Sequence, residues 1–125
     1  MIKLTKPEKQ IADGDIKVYV LLRDDNYELP WANIKIGQKI DITKIKGCIG
    51  YFGYSSYKYL SDLERFIEYL GGDKTNLTIQ EAIIPRGSEY YEGVQSYSFS
   101  VCKEYVELFG FISNRLEIKK EKEID

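Results

Sequence analysis

The 125 residues predict an α+β domain: a small, mostly antiparallel sheet with one principal helix, at about residues 61–71, packed on it. Three observations carry that expectation. Ser61-Asp62-Leu63-Glu64 has the form of a capping box, and Leu63, Phe66, Ile67 and Leu70 follow as one apolar stripe at helical spacing, closed by Gly71-Gly72. Tyr97, Phe99 and Val101 alternate with Ser96, Ser98 and Ser100, the period of a strand with one hydroxyl face. Two runs of β-formers, Ile16–Leu22 and Leu77–Ile84, supply further strands.

In chain order, Met1 to Ala12 is lysine-rich and broken by Pro7, so residues 1–14 read as an amino-terminal arm that ends in the turn Asp13-Gly14-Asp15. Ile16–Leu22 runs into the turn-like Arg23-Asp24-Asp25-Asn26, and short strands are expected at Trp31–Ile36 and Lys39–Ile42. Gly47, Gly50 and Gly53 recur every third residue among aromatics. No Lys-Ser/Thr follows them, so they are read as a close-packed turn and not as a phosphate loop. After the helix, Pro85 stops the strand Leu77–Ile84 because proline offers no amide to a ladder. Glu104 to Ile112 fits either period; Gly110 and the β-branched and aromatic content favour a strand. Ser113-Asn114-Arg115 is a connection, Leu116–Ile118 a last short strand, and residues 119–125 a charged tail.

The length suits a single domain spanning residues 1–125. Twenty acidic against 18 basic residues, a net charge of −2, leave no global field for DNA or an anionic membrane. Any bound anion must meet a local cation. Only Arg23, Arg65, Arg86 and Arg115 carry the planar fork that grips phosphate, and Arg65 belongs to the solvent face of the helix. Cys48 and Cys102 form no metal or redox motif, and no stretch is long and apolar enough to span a membrane; both thiols are expected reduced in a cytoplasm.

The chain has no histidine, which removes the commonest general base and metal ligand and rules out histidine-assisted nucleophiles. No catalytic residue, metal site or cofactor is assigned. Glu89 and Glu92 could in principle act as an acid–base pair, the enzyme alternative: a nucleotide hydrolase using carboxylates. A second alternative is an inhibitor that docks on a host enzyme through Tyr51, Phe52 and Tyr54.

The residues leave two readings open: an ordinary strand-Pro-x-Gly-strand turn with a solvated Arg86 and with Tyr90 and Tyr91 packed on the core, or a small-molecule site centred on two segments. In "IIPRGSEYYEG", Arg86 stands on a turn where Gly87 permits close backbone approach, Ser88 adds a hydroxyl and an amide, and Tyr90 and Tyr91 offer aromatic faces. Asn114 and Arg115 form the second segment, and Phe99 is a further stacking candidate. Guanidinium, ring and hydroxyl are what a purine nucleotide requires.

The strings "EAIIPRGSEYYEG", "KVYVLLRDDNYELPW" and "IGQKIDI" resemble the phage-encoded Thoeris anti-defence proteins of type one. The resemblance is one of layout across most of residues 15–115, and I-P-R-G-S-E-Y-Y is its most specific piece. It implies a sponge and not an enzyme: a protein that sequesters the glycocyclic ADP-ribose signal made by TIR-domain proteins in the host bacterial cytoplasm, as a homodimer or higher homo-oligomer. It further implies that Pro85 to Tyr91 and Phe111 to Arg115 act as flaps over the ligand, with Arg86 or Arg115 on the pyrophosphate and a tyrosine or Phe99 on the adenine.

Overall fold

In the computed structural model, residues 2–6, 8–23, 26–27, 43–44, 51–69, 77–99 and 104–118 are described. In chain order the elements are β1 (Ile2–Leu4), β2 (Gln10–Ile11), β3 (Ile16–Arg23), β4 (Asn26–Tyr27), β5 (Thr43–Lys44), β6 (Tyr51–Phe52), β7 (Tyr54–Tyr57), α1 (Leu60–Tyr69), β8 (Leu77–Ile84), β9 (Glu89–Phe99), β10 (Glu104–Ser113) and β11 (Glu117–Ile118). The strands expected at Trp31–Ile36 and Lys39–Ile42, the glycines Gly47, Gly50, Gly71 and Gly72, both cysteines and the tail 119–125 lie outside the described residues.

The sheet is antiparallel, as expected, but large and not small. Nine strands join it, in the order β1-β9-β10-β7-β3-β8-β11, with β2 added to β9 and β4 to β3. The extra width comes from short pieces with too few residues to show a period. Residues 1–14, read as an arm, contribute two of them: Leu4 pairs with Gly93 and Gln10 with Tyr90, and Ala12 is buried. The ambiguous segment is β10, paired along its whole length with β9 from Glu104↔Phe99 to Ser113↔Tyr90.

The pairings place residues on faces, because partners in an antiparallel ladder share a side and neighbours along a strand alternate. The main core lies on one face, where Val18, Val20 and Leu22 of β3 meet Ala82 and Ile84 of β8, with Tyr54 and Phe111 joining them. Lys17, Tyr19 and Glu81 are on the other face; Lys17 Nζ reaches Glu81 at 2.8 Å and sits over the Tyr19 ring. That other face is covered at the β9–β10 end by α1, where Phe66 packs on Tyr97 with ring centroids 4.9 Å apart. Val106, Leu108 and Ile112 are buried there. The two ends of the sheet therefore bury opposite faces.

The helix begins at Leu60, one residue before the serine expected to cap it, and the amide of Leu63 donates to the Tyr59 carbonyl at 3.4 Å. Leu63 is fully buried, which by itself stabilises the packing by about 1.5–3 kcal/mol, while Phe66 and Ile67 are half-buried on the same stripe. Arg65 is exposed, as expected, with its guanidinium 6.0 Å from the Tyr69 ring one turn on.

Candidate functional site

Pro85 to Ser88 form a tight turn between β8 and β9. The amide of Ser88 donates to the Pro85 carbonyl at 3.1 Å, and Gly87 has φ of 85°, the left-handed conformation that glycine adopts without steric cost. The other amides are also engaged within the protein: Gly87 donates to the Ala12 carbonyl at 2.9 Å and Arg86 to Asp15 Oδ1 at 3.0 Å. Ala12 donates back to the Ser88 carbonyl at 2.9 Å. A ligand therefore finds no free amide in this turn, whose hydrogen bonds tie it to Ala12 and Asp15. Ser88 is buried too, its hydroxyl without a hydrogen-bond partner among the described residues.

The second loop meets this corner. Asn114 is buried; its Oδ1 accepts from the Glu89 amide at 2.9 Å and its own amide donates to the Glu89 carbonyl at 3.0 Å. The Ser113 hydroxyl donates to the Arg115 carbonyl at 2.8 Å, closing the loop on itself. Segments 25 residues apart are thus joined by a reciprocal pair, and Arg86 and Arg115 stand on neighbouring loops at one end of the sheet. Arg86 is exposed and its guanidinium has no ion pair among the described residues, whereas Arg115 is half-buried, with Nη2 3.6 Å from Glu117 Oε1.

Tyr90 and Tyr91 are not loop residues. Both belong to β9, so adjacent side chains leave on opposite faces. Tyr90 packs on the core, edge-on to Phe111 at 5.6 Å between centroids. Tyr91 faces the helix side. Phe99 ends β9, eight residues on from Tyr91 and roughly 27 Å away along an extended strand, so it stands far from the arginine corner. Its side chain lies outside the described residues.

On the helix side the register builds a feature that the sequence reading did not find. Leu4, Gly93, Gly110 and Tyr57 are successive cross-strand partners on β1, β9, β10 and β7. The two middle positions carry no side chain, but the Ser56 carbonyl takes the space over Gly110, so the row has only a shallow dip between Leu4 and Tyr57. Tyr91 and Ile112 close one end of it; Gln95 and Leu108, themselves partners, close the other. Its cavity volume is about 10 Å³, room for about one water, and no charged residue lines it. Gly110 is required by the close approach of β7, since a Cβ there would overlap the Ser56 carbonyl oxygen. Tyr97 donates its hydroxyl to Gln95 Oε1 at 3.1 Å, which fixes that amide and leaves Nε2 as a donor. Burial raises the Tyr57 and Tyr97 phenols above the usual tyrosine range, so both stay neutral donors. A glycine in mid-strand, as in "YEGVQ" and "LFGFI", is the local signal for such an approach.

The residues of the alternative readings are placed as follows. Glu89 and Glu92 point to opposite faces of β9 and each is already in ion pairs: Glu89 with Lys9 at 3.2 Å, Glu92 with Lys58 at 3.5 Å and Lys6 at 3.7 Å. Tyr54, expected as a docking anchor, is fully buried; the side chains of Tyr51 and Phe52 lie outside the described residues. Among the described residues the exposed aromatics are instead Tyr59, Tyr105 and Phe109, with Tyr59 edge-on to Phe109 at 6.1 Å. Among the described residues no group of His, Cys, Asp or Glu could hold a metal ion, and no helix is long and apolar enough to cross a membrane.

No protein-family model, curated protein or solved structure matches the chain.

Proposed function

We propose that this chain is a non-catalytic binding protein that sequesters a cyclic ADP-ribose-type nucleotide, and so acts as a phage-encoded antagonist of TIR-based antiviral signalling in the bacterial cytoplasm. The observation that supports the reading is the reciprocal Glu89–Asn114 pair, because it brings together the loops that carry Arg86 and Arg115. A pyrophosphate is the group that two neighbouring guanidiniums hold best. The resemblance of "IIPRGSEYY" to the type-one Thoeris anti-defence proteins supplies the ligand class and the expectation of a homo-oligomer.

Sequestration needs affinity without chemistry. A nanomolar dissociation constant corresponds to about −12.3 kcal/mol, and every segment ordered on binding subtracts from that. A corner already fixed by its own hydrogen bonds adds little ordering cost, so recognition here falls to side chains and not to backbone amides. The absence of histidine, together with the ion-paired state of Glu89 and Glu92, supports retention of the ligand intact.

The test is to incubate the purified protein with a TIR-produced glycocyclic ADP-ribose, remove the protein-free fraction, and then heat-denature the protein. The signal is expected to vanish from the free fraction and to return unmodified on denaturation. Loss without return would make the protein a hydrolase, and no depletion would end the nucleotide reading. In that last case the exposed Tyr59–Phe109 pair favours the protein-docking alternative.

A further inference from the structure

We infer that Asp15 is a charge filter at the Arg86 corner: it admits a nucleotide whose phosphates carry one negative charge each and disfavours the free phosphate chains of ADP and ATP. The ligand rests on the sequestration reading, the filter on the geometry of the turn. The Asp15 carboxylate is exposed yet held in place, because its Oδ1 accepts the Arg86 amide at 3.0 Å. It has no ion pair among the described residues, whereas Glu89 and Glu117 are matched, by Lys9 at 3.2 Å and by Arg115 at 3.6 Å. The Arg86 guanidinium has no ion pair among the described residues either. An anion drawn to that guanidinium therefore also meets an uncompensated carboxylate fixed to the same residue's backbone.

The carboxylate also takes the donor that a phosphate would use. Turns that grip phosphate present several free amides to it. Here the Arg86 amide goes to Asp15, that of Gly87 to the Ala12 carbonyl and that of Ser88 to the Pro85 carbonyl. A terminal phosphate with two charges of its own finds no backbone donor and faces a like charge. A pyrophosphate diester, with one charge on each phosphate, needs only the guanidinium fork. In water-like surroundings one pair of like charges about 4–8 Å apart weakens binding roughly two- to fivefold, and every further charge on the ligand multiplies the penalty. A sequestering protein works by stoichiometry, so a corner that rejects ATP stays open for a scarcer, less charged ligand.

The experiment measures binding of AMP, ADP and ATP without divalent cations, and capture of glycocyclic ADP-ribose, by the full chain and by Asp15→Asn. Asparagine keeps an oxygen for the Arg86 amide and removes only the charge, so the melting temperature should hold. The gain in affinity on Asp15→Asn is expected to grow roughly two- to fivefold with each added charge from AMP to ATP, and to flatten in about 1 M salt, where the screening length falls to about 3 Å. A purely structural role for Asp15 would change the three nucleotides alike and ignore salt. The cyclic nucleotide, with two charges, should gain no more than AMP. Equal gains for AMP and ATP, or none, overturn the filter; if the cyclic nucleotide is still captured, sequestration stands without it. A gain that grows with charge in a protein that does not capture the cyclic nucleotide keeps the filter and ends the sequestration reading.

Discussion

The backbone of Glu89 and the residue Asn114 hold each other by two hydrogen bonds, 2.9 Å from the Glu89 amide to Oδ1 and 3.0 Å from the Asn114 amide to the Glu89 carbonyl. Replacing Asn114 with alanine removes the acceptor and leaves the Glu89 amide unpaired beside a buried loop. A loss of about 1–3 kcal/mol in urea unfolding is expected, with faster exchange of the Glu89 amide hydrogen. Unchanged stability would mean that the two loops meet without this bond's help.

The glycines differ in what they require. Gly87→Ala has open space around its Cβ but a φ of 85°, so it should cost about 1 kcal/mol from backbone conformation alone. Gly14→Ala has open space and no left-handed conformation, and should be neutral or slightly stabilising. Gly110→Ala would drive a methyl into the Ser56 carbonyl and should destabilise severely or prevent folding. Thermal melts of the three variants rank them directly.

Arg86→Ala and Arg115→Ala should each weaken capture of the cyclic nucleotide with almost no change in melting temperature. Arg86 has no ion pair among the described residues to lose, and an exposed pair such as Arg115–Glu117 contributes about 0–1 kcal/mol. A folded double variant that still captures the signal would move the site away from this corner.

Burial, and for Tyr57 also the neighbouring Tyr97, raises the phenols of Tyr57, Tyr97 and Tyr54 in the folded protein above the unfolded value near 10. Their contribution is complete below pH ~10 and is lost as the pH climbs from there toward the folded values, since the unfolded chain releases those protons first. Melting temperature should therefore fall above pH ~10, and less steeply in Tyr57→Phe. Absorbance at the phenolate band should show a set of tyrosines that ionise only on unfolding.

Ser88 and Ser56 bury hydroxyls that have no hydrogen-bond partner among the described residues. Ser88→Ala should be neutral or stabilising by up to about 1 kcal/mol in chemical denaturation, because it removes a desolvated polar group at little loss of packing. A clear loss of stability would point to a partner for the hydroxyl.

Much of the fold is legible residue by residue. The stripe Leu63, Phe66, Ile67 marks α1, the alternation from Ser96 to Phe99 marks β9, and Pro85 with Gly87 marks the turn between strands. The same alternation, carried back to Glu89, already places Tyr90 and Tyr91 on opposite faces; treating them as loop residues hid it. The short strands β1, β2 and β4 were harder to see because two or three residues show no period, and with β11, expected at Leu116–Ile118, they made the sheet large.

By itself the sequence determined the long strands, the helix and the turn at Pro85–Gly87 where Arg86 stands, and that histidine chemistry is absent; these follow from properties of residues within one turn or one strand of each other. Tertiary structure decided what meets what. Asn114 reaches Glu89 across 25 residues, Asp15 reaches the Arg86 amide across 71, and Gly93 lands opposite Gly110 because of the β9–β10 register. A one-residue slip in that register would set Gly110 opposite a residue with a side chain and turn that row to the other face, so the facing glycines exist only as a consequence of cross-strand pairing.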